Sequence, residues 1–281
     1  MRPEHVTAGL PHAATTDGQA GLDALVADPA HALIGSDFDG TLSPIVSDPA
    51  AAYAHPGAIA ALRRLAGAIG TLAVITGRPV AQAVRLGDLA SVPGLIVLGH
   101  YGWERWEGGR VVAPAAPPGV AAVRRDLPGV LAAAGAPEEI RIEDKGHALA
   151  VHARGIADPD AALARLRGPL LALAGQAGLT VEPGRQVIEL RPPGMDKGVA
   201  LRELSAERAA RSVMYCGDDL GDLAAFAAVR ALRADGIPGV NVLSAALESE
   251  VPREEADLPL DGPDGIASFL TLLADALHPD P

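Results

Sequence analysis

Two carboxylates one residue apart, Asp37 and Asp39, end a short apolar run and are the sequence's first candidates for chemistry. Such a run predicts a buried parallel strand whose carboxyl end opens into a loop, where α/β sheets bind ligands. Extended chain places both side chains on one side, and Gly40 can take backbone angles that a Cβ would forbid. Because adjacent carboxylates repel, the pair predicts a hard divalent cation, with Mg²⁺ as first choice. An ordinary Asp-Gly turn is the alternative.

A second acidic cluster, Asp218, Asp219 and Asp222, follows another apolar run far along the chain. The helix-prone residues after it place these acids at a strand end and a helix start. There they can complete an oxygen cage for the same cation. Helix capping and the helix dipole are an alternative explanation that accounts for one of the acids but not for all three.

Two kinds of residue can bind the oxygens of a phosphoryl group. Thr76 follows a third apolar run, so it should emerge at the same sheet edge as Asp37, and Arg78 can reach into the cleft. The 23 basic residues include only two lysines, Lys145 and Lys197, each within Asp-Lys-Gly. A lysine is a compact point charge and an arginine a wide fork, so a crowded pocket can require the lysine. Chance retention of the two lysines, or a capping role for Thr76, remains open.

Four motifs in this order resemble those of the haloacid dehalogenase superfamily of phosphotransferases: Asp37-Phe38-Asp39-Gly40-Thr41, Thr76-Gly77-Arg78, Lys197 and Gly217-Asp218-Asp219. Within that superfamily the chain is similar to the trehalose-6-phosphate phosphatase family. The resemblance covers roughly residues 30 to 275. It implies a Rossmann-like α/β core with a mostly parallel sheet and an inserted α/β cap domain.

Composition limits the partners. The chain has 281 residues, is 49% hydrophobic and carries a net charge of −12, which argues against nucleic acid and acidic membranes as partners. No apolar stretch has the length of a membrane span and the start lacks a leader pattern, so we expect a cytoplasmic protein. The single cysteine, Cys216, excludes an intrachain disulfide. The resemblance implies a small-molecule sugar phosphate as partner, and we expect a monomer.

Proline-rich segments divide the chain. Residues 1–29 are expected to be an N-terminal extension, of which 1 to about 18 form a mobile tail. The run Ala-Pro-Ala-Ala-Pro-Pro and a second proline pair at 192–193 delimit a cap at 113–191, so that 30–112 and 192–281 form the catalytic core. Trp103 and Trp106 around two glycines predict a small hairpin.

The predicted cap combines helices with strands that carry charge on one face. The segment from Arg141 to Arg154 is similar to the cap of trehalose-6-phosphate phosphatases. That resemblance implies sugar contacts from Glu143, Lys145, Arg154, Arg185 and Glu189. Carboxylates beside cations suit a polyhydroxylated ligand because each can hydrogen-bond adjacent hydroxyls. A solvated sheet face is the alternative, and the parts of Tyr101 and His152 stay open.

The resemblance also implies a role for each core residue. Asp37 is the nucleophile and forms an aspartyl-phosphate, while Asp39 serves as general acid and base. Mg²⁺ is held by Asp37, the backbone carbonyl of Asp39, and Asp218. Lys197 and Thr76 bind phosphoryl oxygens, Arg78 contacts substrate, and Asp219 and Asp222 orient ligands and waters from behind.

Three alternatives remain. A related phosphatase could act on another sugar phosphate, such as those of sucrose, glucosylglycerol or mannosylglycerate. A phosphomutase would transfer the group to a second hydroxyl instead of water. A non-catalytic regulatory module with the same fold is the third, although all four motif residues are present.

Overall fold

The computed structural model describes residues 9–184, 186–245 and 251–278. Within them the chain separates into two compact units. The first consists of the residues up to Ala113 and from Asp196 onward, and the second is Pro114–Met195. The sequence predicted boundaries near 113 and 191.

Helices and strands alternate along the described chain. The helices are α1 Thr16–Ala27, α2 Pro56–Leu65, α3 Val80–Gly87, α4 Pro118–Ala133, α5 Pro159–Gln176, α6 Lys197–Glu207, α7 Leu223–Ala234 and α8 Gly262–Leu277. The strands are β1 Ala32–Ser36, β2 Thr71–Ile75, β3 Ile96–Gly99, β4 Glu104–Glu107, β5 Arg110–Val112, β6 Arg141–Asp144, β7 Leu149–His152, β8 Thr180–Gly184, β9 Val187–Arg191, β10 Ser212–Gly217, β11 Gly239–Ser244 and β12 Leu258–Leu260.

The first unit is built on an eight-stranded sheet in the order β12-β11-β10-β1-β2-β3-β4-β5. Pairing is parallel from β12 to β3, whereas β4 and β5 add an antiparallel hairpin at one edge, as predicted around the two tryptophans. Strand β1 is central and pairs with β10 and β2, so the carboxyl ends of these three strands lie side by side. The predicted α/β class with a mostly parallel sheet is confirmed.

Alternation along the buried strands supplies apolar side chains to both faces of this sheet. In β1, Leu33 packs in the cluster that includes α6 and α7, while Ile34 packs in the one that includes α1, α2, α3 and α8. Both side chains are almost fully buried. Each such aliphatic side chain contributes about 1.5 to 3 kcal/mol. Two apolar layers thus hold β1 rigidly, and with it the residues that follow.

The ordered part of the N-terminal segment begins at an earlier residue than the sequence predicted. Helix α1 begins at Thr16, and the Thr15 hydroxyl caps it by accepting the N–H of Gly18 at 3.0 Å. Thr15 also donates at 2.5 Å to Asp257, a buried carboxylate that accepts the N–H of Asn241 as well. The predicted mobile tail to residue 18 is therefore wrong for residues 15–18, because long-range partners anchor them; residues 1–8 lie outside the described chain.

The second unit is an antiparallel sheet in the order β6-β7-β9-β8 with helices α4 and α5. Its core contains Leu149 and Val151 from β7 and Ile188 and Leu190 from β9, together with residues of both helices. The sequence favours one or two strands between Leu179 and Arg191, and the structure has two there, β8 and β9. The unit has a core of its own.

Among the described residues, no helix combines the length and the apolar character that crossing a lipid bilayer requires.

Candidate active site

Three parallel strands deliver polar residues to one edge of the first sheet. Asp37 follows β1, Thr76 follows β2 and Asp218 follows β10. The N–H of Asp37 donates to the carbonyl of Cys216 at 2.8 Å, so β1 and β10 remain paired up to the point where the carboxylates begin. Adjacent parallel strands with matched ends place these residues side by side, as the sequence predicted for Thr76 and Asp37.

Lys197, the first residue of α6, lies between two carboxylates of this edge. Its Nζ is 3.0 Å from Asp37 Oδ2 and 2.7 Å from Asp222 Oδ1. All three side chains are at most 6% exposed, so the ion pairs lie out of water. Asp196 caps the same helix by accepting the N–H of Val199 at 2.8 Å, which fixes the start of α6 and the lysine on it.

Asp222 is fully engaged by hydrogen-bond donors. Its Oδ1 accepts from Lys197 and, at 2.7 Å, from the Tyr215 hydroxyl. Its Oδ2 accepts the backbone N–H groups of Asp218 at 3.0 Å and Asp219 at 3.2 Å. One buried carboxylate therefore anchors the lysine and also shapes the loop that carries the two neighbouring acids.

Burial and crowding shift the pKa values of these acids. Burial raises the pKa of Asp37 well above its ordinary value; Lys197 opposes that shift, and Asp222 and Asp218 add to it. Burial, together with Asp222 and Asp219, raises the pKa of Asp218 to about 8. Burial also opposes ionisation of Asp222, but the charge and hydrogen bond of Lys197 outweigh it and lower the pKa of that carboxyl.

Gly40 allows the first motif to approach the Asp218 carboxylate. Its φ is +73°, and a Cβ there would lie 1.9 Å from Asp218 Oδ2. The Thr41 hydroxyl donates to Asp218 Oδ1 at 3.1 Å, and the Ser244 hydroxyl donates to the Gly40 carbonyl at 2.6 Å. The loop after β1 is thus packed against the carboxylate at the end of β10.

Arg78 and Asp39 form a bidentate ion pair in this structure. Arg78 Nε donates to Asp39 Oδ2 and Nη2 donates to Oδ1, each at 2.6 Å. The sequence predicted Arg78 as a substrate contact; its guanidinium lies on Asp39 instead of standing apart in the cleft. Asp39 itself is one-third exposed.

The acids at this edge match the chemistry of a hard cation. One carboxylate oxygen from each of Asp37, Asp219 and Asp222 lies within 4.8 Å of the other two. Together with Asp218 they place four carboxyl groups around the single ammonium of Lys197. Carboxylate oxygens are the ligands that Mg²⁺ prefers, and a divalent ion would offset the repulsion that burial intensifies. The residue set therefore fits a divalent cation.

Two residues of this network were not predicted as site residues. Tyr215 lies on β10, fully buried, edge-on to Phe226 with ring centroids 6.1 Å apart. A buried tyrosine hydroxyl needs a hydrogen-bond partner, so its place two residues before Gly217 was a usable signal. Thr41 was part of the first motif, but its partner Asp218 could not be read from spacing.

The second unit contains its own polar contacts. Lys145 pairs with Glu189, and both side chains are mostly buried. Glu143 is exposed, and its carboxylate lies 2.8 Å from His152 Nε2, from which it accepts a hydrogen bond when that nitrogen carries the proton. Arg154 is exposed and lies two residues beyond β7, which ends at His152. Arg185 lies outside the described residues.

The parallel core and the separate α/β unit give this chain a fold that it shares with a solved haloacid dehalogenase-like hydrolase. A profile of the trehalose-phosphatase family matches residues 36–263, and the chain belongs to that family. This confirms the family resemblance inferred from the four motifs.

Individual proteins agree with that assignment. The trehalose-phosphate phosphatase of Mycobacterium marinum is 33% identical over 259 residues, covering 86% of this chain and 61% of the relative. An uncharacterised glycosyl hydrolase of Mycobacterium tuberculosis is 37% identical over 270 residues, 87% of this chain but 19% of its own length. The structure of Aspergillus fumigatus trehalose-6-phosphate phosphatase superposes with a TM-score of 0.70 at 23% identity, covering 95% of this chain and all of that one. The chain thus spans less than two thirds of these two mycobacterial proteins.

Proposed function

We propose that this chain hydrolyses trehalose 6-phosphate to trehalose and phosphate in a Mg²⁺-dependent reaction, through an aspartyl-phosphate on Asp37. The observation that carries the proposal is the Lys197 ammonium, 3.0 Å from the Asp37 carboxylate and fixed by Asp222 at the ligand-binding edge of the sheet. Membership of the trehalose-phosphatase family and the name of the Mycobacterium marinum relative, a trehalose-phosphate phosphatase, support the substrate.

Charge repulsion is the main obstacle that such a site must overcome. A carboxylate that approaches a phosphate dianion meets about 4 kcal/mol per unit charge pair at 4 Å and an effective dielectric near 20. Lys197, held by two carboxylates, is placed to bind a phosphoryl oxygen, and the Thr76 hydroxyl can donate to another. A divalent cation held by Asp37, Asp218 and the Asp39 carbonyl supplies further positive charge when bound. Asp219 lies beside these groups, and in this proposal Asp222 binds Lys197 instead of the cation.

The proposed reaction has two balanced steps. An Asp37 oxygen attacks phosphorus, the bond from phosphorus to the sugar oxygen breaks, and Asp39 gives that oxygen its proton. Asp39, now a carboxylate, then takes a proton from the water that attacks the aspartyl-phosphate, and Asp37 is released with free phosphate. The first step leaves Asp39 ionised, as the second step requires, and the second step leaves it protonated for the next turnover.

The sugar is assigned to the second unit. Lys145 and Glu189, a mostly buried pair of opposite charge, offer a donor and an acceptor for adjacent hydroxyls. Glu143, Arg154 and Arg185 complete the proposed set. The Lys145→Ala variant is expected to raise KM for the sugar phosphate about tenfold or more while leaving hydrolysis of p-nitrophenyl phosphate within about twofold. Arg165→Ala, which removes an exposed arginine of α5, serves as control.

The deciding experiment measures phosphate release by the full chain from trehalose 6-phosphate and from a panel of other sugar phosphates, with Mg²⁺ and with EDTA. The panel contains the phosphates of sucrose, glucosylglycerol, mannosylglycerate and glucose. We expect kcat/KM to be highest for trehalose 6-phosphate, activity to require Mg²⁺, and Asp37→Asn to abolish turnover with folding intact. A higher kcat/KM for another sugar phosphate would overturn the substrate, and a tenth of wild-type activity in Asp37→Asn would overturn the nucleophile.

A further inference from the structure

The guanidinium group of Arg78 is directed at one carboxylate rather than at the space where a phosphoryl group would bind. Nε and Nη2 form the fork on Asp39 at 2.6 Å each, and Nη1 donates to the Pro49 carbonyl at 2.8 Å. The planar group also lies over the ring of Phe38, with 5.7 Å from Cζ to the ring centroid. Its side chain is only 10% exposed. Every nitrogen of the guanidinium thus has an acceptor within this loop region.

The backbone that carries Arg78 is equally constrained. Its N–H donates to Thr76 Oγ1 at 3.1 Å, and its carbonyl accepts the N–H of His100 at 3.0 Å. The neighbouring Thr76 carbonyl accepts the N–H of Tyr101 at 2.9 Å. The backbone of Arg78 is therefore fixed, and its side chain lies over the buried ring of Phe38. Few other rotamers are open to this side chain.

Asp39, by contrast, lies in a turn and is one-third exposed, so its side chain has no such restraint apart from Arg78. The turn fixes only its backbone: the N–H of Gly40 donates to the Ser43 carbonyl at 2.7 Å, and the N–H of Ser43 donates to the Phe38 carbonyl at 2.8 Å. Without the fork, the Asp39 carboxylate would rotate among several rotamers. The arginine therefore determines where this carboxylate points.

We infer that Arg78 is a positioning residue for Asp39: its rigid fork holds the Asp39 carboxylate in the orientation needed for proton transfer to the leaving oxygen and from the attacking water. This inference rests on the proposed function, in which Asp39 is general acid and base. A carboxylate has about four lone-pair sites, and the fork uses one on each oxygen. The remaining site on one oxygen can carry the proton that the leaving oxygen receives; the neutral acid keeps its hydrogen bonds from the guanidinium, and the ion pair forms again when the proton leaves.

The leaving group distinguishes this role from direct phosphate binding. A sugar alkoxide leaves poorly and needs the proton from Asp39, whereas p-nitrophenolate leaves without protonation. Loss of a positioned general acid therefore slows the sugar phosphate much more than the aryl phosphate. Loss of a phosphate ligand would slow both to a similar extent and raise both KM values.

The experiment compares wild type, Arg78→Ala, Arg78→Lys and Arg85→Ala on trehalose 6-phosphate and p-nitrophenyl phosphate. Arg85 is exposed on α3 and controls for removal of an arginine. For Arg78→Ala we expect kcat/KM, which covers the steps up to formation of the aspartyl-phosphate, to fall about 100-fold for the sugar phosphate and less than about fivefold for the aryl phosphate. The later attack of water on the aspartyl-phosphate is common to both substrates, so a slower attack lowers kcat for both. Arg78→Lys should resemble Arg78→Ala, because an ammonium cannot form the fork. Millimolar guanidinium chloride should partly restore Arg78→Ala on the sugar phosphate alone.

The outcomes separate the two proposals. Equal losses of kcat/KM on both substrates, or full activity in Arg78→Lys, would overturn the positioning role while wild-type turnover left the proposed function standing. A wild-type protein that hydrolyses neither substrate would overturn the proposed function and the inference with it. Thermal midpoints within about 2 °C of wild type show that the variants are folded, and where Arg78→Ala is less stable, the guanidinium rescue and Arg78→Lys decide the question.

Discussion

Replacement of Gly40 by alanine tests the packing of the first motif against the acidic edge. The new Cβ would lie 1.9 Å from Asp218 Oδ2 and 2.2 Å from its Cγ, so the carboxylate must move. The backbone at φ +73° adds a second penalty, about 1 to 2 kcal/mol for a residue with a Cβ. Displacement of Asp218 breaks its hydrogen bond with Thr41, about 1 kcal/mol more. We expect the free energy of unfolding to fall by roughly 2 to 3 kcal/mol.

The effect on turnover should be larger than the effect on stability. Asp218 is a proposed cation ligand, and a displacement of about 1 Å at a catalytic group can cost 100-fold in rate. Phosphate release by Gly40→Ala at saturating Mg²⁺ should therefore fall to about 1% of wild type, and more Mg²⁺ should be needed for half-maximal rate.

Gly94 provides a matched control. Its φ is +68°, close to that of Gly40, but a Cβ there would have no heavy atom within 4 Å. Gly94→Ala should cost only the backbone penalty, about 1 to 2 kcal/mol by urea denaturation, and retain full turnover. The difference between the two variants in free energy of unfolding and in turnover measures the effect of the contact between the new Cβ and Asp218. Equal destabilisation of both, with more than a tenth of the activity kept in Gly40→Ala, would refute the reasoning.

Three further predictions follow from the buried charges. Asp222→Asn leaves Lys197 without its closest anion and should lower the free energy of unfolding by about 3 kcal/mol in urea titrations; a loss under 1 kcal/mol would contradict the anchor role. Because the pKa of Asp218 is raised from 3.8 to about 8, the folded chain binds more protons than the unfolded chain between these values. Its thermal midpoint in EDTA should therefore fall as pH rises through that window, and saturating Mg²⁺ should diminish the fall; a midpoint that rises would contradict the sign. Burial raises the pKa of Cys216 to about 12, so a thiol reagent at pH 8 should label the unfolded but not the native chain, and rapid native labelling would show the thiol to be accessible.

Much of the core could be predicted from the sequence because its signals are local. Apolar runs that end in Asp, Thr or Gly identify strands and their carboxyl ends, and parallel strands bring those ends to one edge. Asp37, Thr76 and Asp218 were therefore expected together, and the sheet places their strands side by side. The hairpin around Trp103 and Trp106 followed from its pair of glycines in the same way.

The sequence could not predict which charged side chains pair with each other at this edge of the sheet, because several groups of both signs lie close together there. Spacing does not show that Lys197 contacts Asp222 as well as Asp37, or that Arg78 binds Asp39, since those choices depend on side-chain geometry in three dimensions. The ordered start of α1 at Thr16 was missed for a related reason: Asp257, about 240 residues later in sequence, anchors its cap.

The boundary at Asp196 gives the chain a modular arrangement. All the acids, the threonine and the arginine of the core site belong to the first unit, and Lys197 begins α6 directly after the second unit ends at Met195. The segment Pro114–Met195 is thus a cassette that interrupts the chain without contributing to this set. Under the proposed function, exchange, duplication or gradual divergence of the cassette would leave the residues proposed for phosphoryl transfer untouched, so the sugar preference would change while the chemistry stayed the same.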